Sequence, residues 1–281
     1  ALKNHKFEFQ HLGKQKTMVL LFLNSSLRTR ISTQKAAQNL GMQTIVLNLG
    51  QDSWQMEYED GAIMNGNTAE HIKEGAAVIS EYADIIGIRA FPTLVDKQRD
   101  YSEYVLHKFL ENVKVPVVNM ESATVHPLQS LTDLMTIREH SNKPKPKVVL
   151  SWAPHIRALP QCVSNSFAEW MNRAEVEFVI THPKGYELDE KFSGKAKIIH
   201  NQEEAFENAD FIYAKNWSAY TDYGKILDEH ANWMITDEKM QITNEAKFMH
   251  CLPTRRNLEV ADDVLDATYS LVIKEATNRE F

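Results

Sequence analysis

The sequence predicts an α/β fold with two domains, each a mainly parallel sheet flanked by helices. Short apolar runs rich in β-branched residues recur along the chain, and amphipathic stretches of helical length separate them. This alternation is typical of strand–helix–strand units, whose strands pair in parallel and are covered on both faces. A polar, proline-bearing segment, SNKPKPK at 141–147, interrupts the alternation, which then restarts. We therefore predict one domain at 1–140 and a second at 141–281.

Each element is predicted from its local pattern. In the first half, strands are predicted at the apolar runs 17–24, 44–49, 84–89 and 115–120, and helices at 27–40, 68–82, 101–112 and 126–140. In the second half, strands are predicted at 148–153, 176–182, 197–200 and 210–215, and helices near 162–173 and 202–208. Because ligands bind at the carboxyl ends of strands in such sheets, we expect the functional residues just after the strands.

Composition limits the classes of function. The chain has 281 residues and a formal net charge of -7, which argues against a general nucleic-acid binder. Its two cysteines, Cys162 and Cys251, form neither a disulfide framework nor a paired-cysteine metal motif, so we expect a reducing cytoplasm. The N-terminal segment lacks the apolar core of a signal peptide, and no apolar run approaches the roughly 18 residues that span a bilayer. We therefore expect a cytoplasmic protein without a membrane partner.

The segment SSLRTR follows the first predicted strand and opens the next helix. Ser25 or Ser26 is a good N-cap, and the first helical turn presents free backbone N–H groups with a partial positive charge. Arg28 and Arg30 add cations, so the segment suits a tetrahedral oxyanion, most simply phosphate. The alternative interpretation is a capped helix with solvated arginines.

Three further strand ends carry polar or reactive groups. Arg89 follows the strand at 84–88, His126 and Gln129 stand three residues apart at a helix opening, and Cys251 and Leu252 follow another short apolar run. Each also has a structural interpretation: Arg89 as a surface ion pair, His126 as a helix cap, Cys251 as a core residue. Their repetition at successive strand ends favours a functional site.

These motifs, SxRTR, RAF, HPxQ and HCLP, stand in an order and at separations that resemble the aspartate/ornithine carbamoyltransferase family. The resemblance runs through nearly the whole chain. It implies a carbamoyl-phosphate-binding domain followed by an amino-acid-binding domain, and a homotrimer with active sites at subunit interfaces. It also implies transfer of a one-carbon carbamoyl group, for which no cofactor, metal or nucleophilic side chain is needed.

The resemblance also assigns roles to matching positions. It implies that the phosphate is held by Ser26, the Leu27 N–H, Arg28 and Thr29, and that Arg89 bridges the phosphate and the carbamoyl oxygen. His126 would donate to that oxygen, and Gln129 with the carbonyls of Cys251 and Leu252 would hold the carbamoyl amide. Arg30 is interpreted as a structural ion-pair partner. The full carbamoyl-phosphate set is Ser26, Leu27, Arg28, Thr29, Trp54, Arg89, His126, Gln129, Cys251, Leu252 and Arg279; of these Thr29, Arg89, His126, Gln129 and Cys251 are the expected catalytic residues.

The amino-acid substrate is suggested by other segments. The Ser-Met-Gly motif of ornithine carbamoyltransferases is not found, whereas Trp54, Lys215 and the loop with His155 and Arg157 resemble the branch that acts on N-acylated ornithine. In that branch Trp54 and the 64–71 loop would reach into a neighbouring subunit's site. The expected acylornithine-binding residues are Ala69, Glu121, His155, Arg157, Lys215 and Leu252.

Ala69 favours N-succinylornithine over N-acetylornithine as the substrate. By resemblance, the acetylornithine enzymes carry Glu at this position and the succinylornithine enzymes carry Pro, and a carboxylate would repel the second carboxylate of a succinyl group. Ala69 removes that repulsion, and His155 with Arg157 would form a charge-assisted clamp for the succinyl carboxylate. Glu259, where the acetylornithine enzymes have lysine, also disfavours the acetyl substrate. The acetyl enzyme remains the alternative, and for His155 and Arg157 the alternative is a place on the loop surface.

Other interpretations remain open. Glu121 resembles a family acid near the substrate, with a solvated loop acid as the alternative. The RALPQCVSNS loop resembles one through which the segment containing YAKNW threads, which implies a trefoil knot in the second domain. Rival functions are a non-catalytic anion- or amino-acid-binding protein and an inactive, regulatory relative. The first would not need the His126/Gln129 pair, and the second would tend to lose the arginines.

Overall fold

The structure is a computed structural model that describes residues 2–227 and 230–281, and it divides into two compact units. The first unit comprises the chain through Pro92, Gln98–Ala123 and Arg279–Phe281; the second comprises Thr93–Lys97 and Thr124–Asn278. The division into two units does not show which substrate each unit binds. The assignment of carbamoyl phosphate to residues 1–140 and of the acylornithine to residues 141–281 therefore stays a prediction.

The first unit is built on a four-stranded parallel sheet of order β2-β1-β5-β6, beside a two-stranded parallel pair, β3-β4. The central strand β1 is apolar on both sides: Val19 and Leu21 are buried against helical residues such as Phe109, and Leu20 and Phe22 are buried on the opposite face. The bounds are β1 Thr17–Phe22, β2 Gln43–Asn48, β3 Met56–Glu57, β4 Glu70–His71, β5 Ile85–Arg89, β6 Val117–Glu121, α1 Arg28–Asn39, α2 Ile72–Glu81, α3 Lys97–Tyr101 and α4 Tyr104–Leu110, with short 3-10 helices at Leu2–Asn4 and Gln10–Leu12.

The second unit is built on a five-stranded parallel sheet of order β11-β10-β7-β8-β9. Alternate residues of β7 enter opposite cores, since Val148 and Leu150 lie in one buried cluster and Val149 in the other. The bounds are β7 Lys147–Trp152, β8 Glu177–Thr181, β9 Lys197–Ile199, β10 Phe211–Lys215, β11 Lys247–Met249, α5 Pro127–His140, α6 Cys162–Met171, α7 Glu190–Ser193, α8 Gln202–Phe206, α9 Asp237–Met240, α10 Asp262–Asp266 and α11 Val272–Asn278, with a 3-10 helix at Ala231–Trp233.

The predicted α/β class with parallel sheets flanked by helices is confirmed, and every predicted strand is present. The predicted helix 101–112 is wrong as a single helix, because Glu103 takes a left-handed φ of 54° and separates α3 from α4. The predicted helix 68–82 begins only at Ile72, where the His71 ring accepts the Lys73 N–H as an N-cap. Within the described ranges, no helix is both long and apolar enough to cross a membrane.

Candidate active site

The loop after β1 leads directly into α1, as the motif predicts. The N-cap, however, is Leu27, which makes no side-chain capping bond, so the predicted serine N-cap is wrong. Leu27 already has helix-like dihedrals of -95° and -62°, which leaves Ser25 and Ser26 outside the helix. Arg28 is the first residue of α1, and Thr29 is buried. The first-turn N–H groups lack acceptors within the helix and carry its positive dipole end, which suits an anion.

Arg89 ends β5 and is held beside this loop. Its Nε donates to Glu121 Oε2 at 2.8 Å, and its Nη1 donates to the carbonyl oxygens of Asn24 and Ser25 at 3.2 and 2.7 Å. Its guanidinium also lies 4.1 Å from the centroid of the Phe91 ring. The side chain is only 8% exposed, so the alternative of a surface ion pair is wrong. Three donated hydrogen bonds fix the guanidinium next to the SSLRTR loop.

An irregularity in the sheet places Arg89 and Glu121 opposite each other. The β5–β6 register runs through Ile88 opposite Asn119 and then shifts, so that Arg89 pairs with Glu121. A bulge of this kind re-aims side chains at the end of a strand. Glu121 is the last residue of β6 and is 5% exposed, so the alternative of a solvated loop acid is wrong.

A third arginine, Arg279, reaches the same corner of the first unit. Its Nη2 donates to Thr29 Oγ1 at 2.7 Å. Arg89 and Arg279 therefore lie beside the loop and first turn of α1, whose first residue is Arg28, and guanidinium groups are well suited to bind an oxyanion.

Arg30 differs from its prediction. It donates to the neutral side-chain oxygen of Asn48 at 2.9 Å, and its guanidinium lies 5.8 Å from the centroid of the Phe22 ring. Within the part of the chain that the structure describes, it forms no ion pair, so its prediction as a structural ion-pair partner is wrong.

In the second unit, His126 immediately precedes α5. It is the N-cap of the helix, and its Nδ1 accepts the Gln129 N–H at 3.4 Å, with Pro127 at the first helical position. The structural interpretation as a cap is therefore correct. The capping contact also favours a chemical role. Because Nδ1 accepts a hydrogen bond, the ring proton is on Nε2, which is then a hydrogen-bond donor. The side chain is 3% exposed, so this donor is held in a dry environment.

Gln129 has a fixed amide orientation. Its Nε2 donates to Asp133 Oδ1 at 2.7 Å and to Glu275 Oε1 at 3.0 Å. Carboxylates only accept, so both amide hydrogens are used and Oε1 faces the other way. This buried oxygen has no hydrogen-bond partner among the described residues. A buried acceptor of this kind is costly to leave unpaired, which marks it for a ligand N–H.

The HCLP turn is tied to the same carboxylate. Glu275 Oε2 accepts the His250 N–H at 3.0 Å, while its other oxygen holds Gln129. The Leu252 N–H donates to His250 Nδ1 at 2.8 Å, and Leu252 takes a left-handed φ of 55°. This conformation costs a leucine about 1–2 kcal/mol, so the surrounding contacts must hold the turn in place.

The Cys251 thiol is not a nucleophile. Burial raises its pKa to about 11; Lys215 acts in the opposite direction, and the carboxylates of Glu275 and Asp133 raise it further. The thiol therefore stays protonated at neutral pH, and the side chain packs against the core of the second unit. Only the backbone of Cys251 remains available for the predicted contact with a carbamoyl amide.

The residues predicted for the amino-acid substrate lie in loops after β7 and at the end of β10. Lys215 is 8% exposed and close enough to affect the pKa of His155, which is lowered first of all by burial. His155 Nε2 accepts from Arg255 Nε at 3.2 Å, as expected for a neutral ring. The charge of the predicted clamp therefore rests on Arg157, whose side chain is exposed.

Glu259 connects two histidines inside the second unit. It is 1% exposed, and its two oxygens lie 4.0 Å from His155 Nε2 and from His250 Nε2. One of them also accepts the Arg255 N–H at 2.7 Å. The sequence marked Glu259 only as a departure from the acetylornithine pattern; the structure makes it a buried acidic residue beside the His155 loop.

Trp54 and the 64–71 loop are joined to each other within one chain. Trp54 is 56% exposed, and its Nε1 donates to Glu70 Oε2 at 2.7 Å. The Ala69 N–H donates to the Gln55 carbonyl at 3.1 Å, and Ala69 is exposed. The residue predicted to select the substrate is thus anchored to Gln55, the neighbour of the predicted tryptophan.

The structure groups most predicted residues in two sets. Ser26, Leu27, Arg28, Thr29, Arg89, Glu121 and Arg279 lie in the first unit; His126, Gln129, His155, Arg157, Lys215, Cys251 and Leu252 lie in the second. Sequence reasoning missed the supporting groups: Asn24, which accepts the Phe91 N–H at 2.6 Å, Glu103, which accepts the Ala123 N–H at 3.0 Å, and the acids Asp133 and Glu275. For Asp133 a signal existed, since it lies one helical turn after Gln129.

Two family models match the chain. Residues 1–139 match the carbamoyl-P binding domain of aspartate/ornithine carbamoyltransferase, and residues 161–281 match the Asp/Orn binding domain of the same family. Among curated proteins, the N-succinylornithine carbamoyltransferases of Bacteroides fragilis and Bacteroides thetaiotaomicron are 54% and 53% identical, each over 99% of this chain and 88% of the relative. The N-acetylornithine carbamoyltransferase of Xanthomonas campestris pv. campestris is 37% identical over 95% of this chain and 84% of the relative.

Solved structures of N-acetyl-L-ornithine transcarbamylase also resemble this chain. An N-acetyl-L-ornithine transcarbamylase mutant complexed with PALAO is 35% identical, with a TM-score of 0.93 over 99% of this chain and 90% of that one. A second mutant of that enzyme, complexed with carbamyl phosphate and N-succinyl-L-norvaline, is 35% identical, with a TM-score of 0.89 over 99% of this chain and 92% of that one.

Proposed function

The chain belongs to the aspartate/ornithine carbamoyltransferase family and is a carbamoyltransferase, and from this premise we propose that its acceptor is the side-chain amine of N2-succinyl-L-ornithine. The products are N-succinyl-L-citrulline and phosphate. The observation that carries the choice of acceptor is the 54% and 53% identity to two N-succinylornithine carbamoyltransferases, against 37% for an acetylornithine enzyme.

The phosphate end of carbamoyl phosphate is assigned to the first unit. Arg28, Arg89, Arg279 and the N–H groups that open α1 offer several donors to one oxyanion, and Ser26 and Thr29 add hydroxyls. Under this proposal Arg89 also donates to the carbamoyl oxygen. Its hydrogen bonds to Glu121 and to the Ser25 carbonyl support the role, because a pre-oriented guanidinium needs no reorganisation during the reaction.

The carbamoyl group is assigned to donors and acceptors of the second unit. The His126 Nε2–H would donate to the carbonyl oxygen, on which negative charge builds. Gln129 Oε1 and the carbonyls of Cys251 and Leu252 would accept the N–H groups of the carbamoyl amide. The orientation of Gln129, with both of its hydrogens donated to carboxylates, supports this assignment.

The reaction is a direct transfer. The neutral amine of the acceptor attacks the carbamoyl carbon, a C–N bond forms, and the bond from that carbon to the bridging oxygen of the phosphate breaks. The phosphate leaves as an anion, stabilised by the arginines, and takes the proton that the amine loses. No covalent enzyme intermediate is needed, which agrees with the protonated Cys251 thiol.

The succinyl specificity rests on charge near the acyl group. Ala69 presents no carboxylate, and Arg157 is an exposed cation that suits the succinyl carboxylate. Lys215 and neutral His155 would complete the acylornithine site. The alternative, N-acetylornithine, is less well supported, because acetylornithine transcarbamylase complexed with acetylcitrulline is only 35% identical over 99% of this chain.

The proposal includes the assembly and setting of the enzyme. We expect carbamoyl phosphate to bind to residues 1–140 and the acylornithine to residues 141–281, in a cytoplasmic homotrimer in which Trp54 and the 64–71 loop serve a neighbouring subunit's site. The exposed Trp54 indole and Ala69 support such a role. A trefoil knot formed by the RALPQCVSNS loop and a place in arginine biosynthesis belong to the same proposal.

Product analysis tests this function. The purified chain is incubated with carbamoyl phosphate and N-succinylornithine, and phosphate and the ureido product are measured together by colorimetry and mass spectrometry. Equal amounts of phosphate and N-succinylcitrulline are expected. Phosphate release without a ureido product would contradict the proposed transfer.

A further inference from the structure

The second unit contains a cluster of metal-ligating side chains to which the proposed reaction gives no role. His182 directly follows β8 and His200 directly follows β9. These neighbouring parallel strands are in register, with Thr181 opposite Ile199, so the two histidines emerge side by side at the carboxyl edge of the sheet. Their ring centroids are 5.0 Å apart, with the ring planes at 80°.

Backbone carbonyls fix the tautomer of both rings. His182 Nδ1 lies 2.8 Å from the Pro183 carbonyl oxygen, and His200 Nδ1 lies 3.0 Å from the His182 carbonyl oxygen. Because a carbonyl only accepts, each Nδ1 carries the proton and each Nε2 keeps a lone pair. An Nδ1–H donated to a carbonyl is the usual support of a metal-ligating histidine.

Glu187 completes the set from the loop between β8 and α7. One ligand atom from each of His182, Glu187 and His200 lies within 4.8 Å of the others. Tetrahedral ligands of a zinc ion at about 2.1 Å stand about 3.4 Å apart, so a small rotation of exposed side chains would close the set. Glu187 is exposed and can rotate towards the two rings, whereas His200 is held by its hydrogen bond to the His182 carbonyl and His182 is 1% exposed beside Trp217.

We propose that His182, Glu187 and His200 bind one divalent transition-metal ion, for which zinc is the best-suited probe. Two imidazoles and one carboxylate are donors that zinc accepts, and three protein ligands leave a position for water.

The site's place in the sheet separates it from the residues assigned to the proposed reaction. It lies after β8 and β9, whereas the acylornithine residues assigned within the second unit lie after β7 and β11 or at the end of β10, which are on the other side of the strand order. A bound ion would tie the loops after β8 and β9 to each other.

Metal binding by the untagged full chain tests the site. Equilibrium dialysis against ZnCl₂, followed by elemental analysis, is expected to give one bound ion per chain. His200→Ala and Glu187→Gln should weaken binding at least about tenfold, because even the loss of a supporting group around a metal site costs 10- to 100-fold. The matched controls are His107→Ala and Glu190→Gln, which remove an exposed histidine and an exposed glutamate elsewhere. Both controls should bind zinc as the native chain does.

Two readouts separate this site from adventitious binding. Co²⁺ bound to the native chain should show the intense visible absorption of a four-coordinate ion, and His200→Ala should lose it while retaining carbamoyl transfer. Absence of stoichiometric zinc, or binding that persists unchanged in both ligand variants, would overturn the proposal. Because zinc stoichiometry and Co²⁺ absorption do not depend on the acceptor substrate, failure here is distinguishable from failure of the proposed function.

Discussion

Arg89 and Glu121 form a buried ion pair, with Nε and Oε2 2.8 Å apart, at the point where the β5–β6 register shifts. The pair places a guanidinium at the carboxyl edge of the first sheet and directs another of its nitrogens to the Ser25 carbonyl. An acid first interpreted as a substrate ligand thus holds an arginine of the proposed phosphate site.

Glu121→Gln should weaken both folding and carbamoyl-phosphate binding. Breaking a buried pair costs about 3–5 kcal/mol of unfolding free energy, and the retained amide oxygen reduces the loss to the lower part of that range. KM for carbamoyl phosphate should rise at least about tenfold, as expected for loss of a hydrogen bond to a charged group. Urea unfolding and initial rates measure the two effects. The control Glu81→Gln, which removes an exposed partner of Lys114, should change neither. Equal behaviour of the two variants would show that Glu121 does not position Arg89.

Arg279→Ala tests the third cation of the phosphate site. It removes the hydrogen bond to Thr29 Oγ1 and one positive charge, so inhibition by inorganic phosphate should weaken at least about tenfold. Phosphate inhibition constants provide the measurement. Arg173→Ala, which removes an exposed arginine paired with Glu169, is the control and should leave them unchanged. An unaltered constant in Arg279→Ala would remove this residue from the site.

Glu275→Gln should lower kcat more than it raises KM. The carboxylate holds both the Gln129 amide and the His250 N–H, so its loss frees Gln129 to turn its nitrogen towards the carbamoyl amide. We expect a 10- to 100-fold fall in kcat, since misplaced groups lose contacts in the transition state. Steady-state kinetics measure the split. Thr277→Ala, at an exposed position of the same helix, should keep native kinetics. A fall in folded fraction without a change in kcat would reduce Glu275 to a structural role.

Ala69→Glu should shift the preference towards N-acetylornithine. A carboxylate near the succinyl carboxylate adds a repulsion that is absent with the acetyl substrate. A difference of about 1.4 kcal/mol in binding free energy between the two substrates changes the ratio of specificity constants tenfold. Competition between the two substrates in one reaction measures that ratio. Ala62→Glu adds the same charge at an exposed position outside the 64–71 loop and serves as control. If both variants keep the native ratio, the loop does not select the acyl group.

The sequence predicted the strands well because parallel strands that are covered by helices on both faces are continuous apolar runs. It missed the break between α3 and α4, since the left-handed backbone at Glu103 depends on contacts with residues such as Ala123. The arginines, His126 and Gln129 were predictable because each belongs to a short motif at a strand end.

The partners of these groups were harder to predict. Glu275 lies far along the chain from Gln129, and Glu259 contacts His155 only after β7 and the loop beyond β11 come together. Such pairs arise from tertiary packing, so no local sequence pattern predicts them. The N-cap at Leu27 was missed because serine is a preferred N-cap, whereas here the helix begins two residues after Ser26 and without a side-chain capping bond.

The most direct test is the ratio of kcat/KM for N-succinylornithine to that for N-acetylornithine, measured on the native chain with saturating carbamoyl phosphate, with ornithine as a third acceptor. The proposed function predicts turnover mainly with the succinylated substrate. Equal or faster turnover of N-acetylornithine would contradict it.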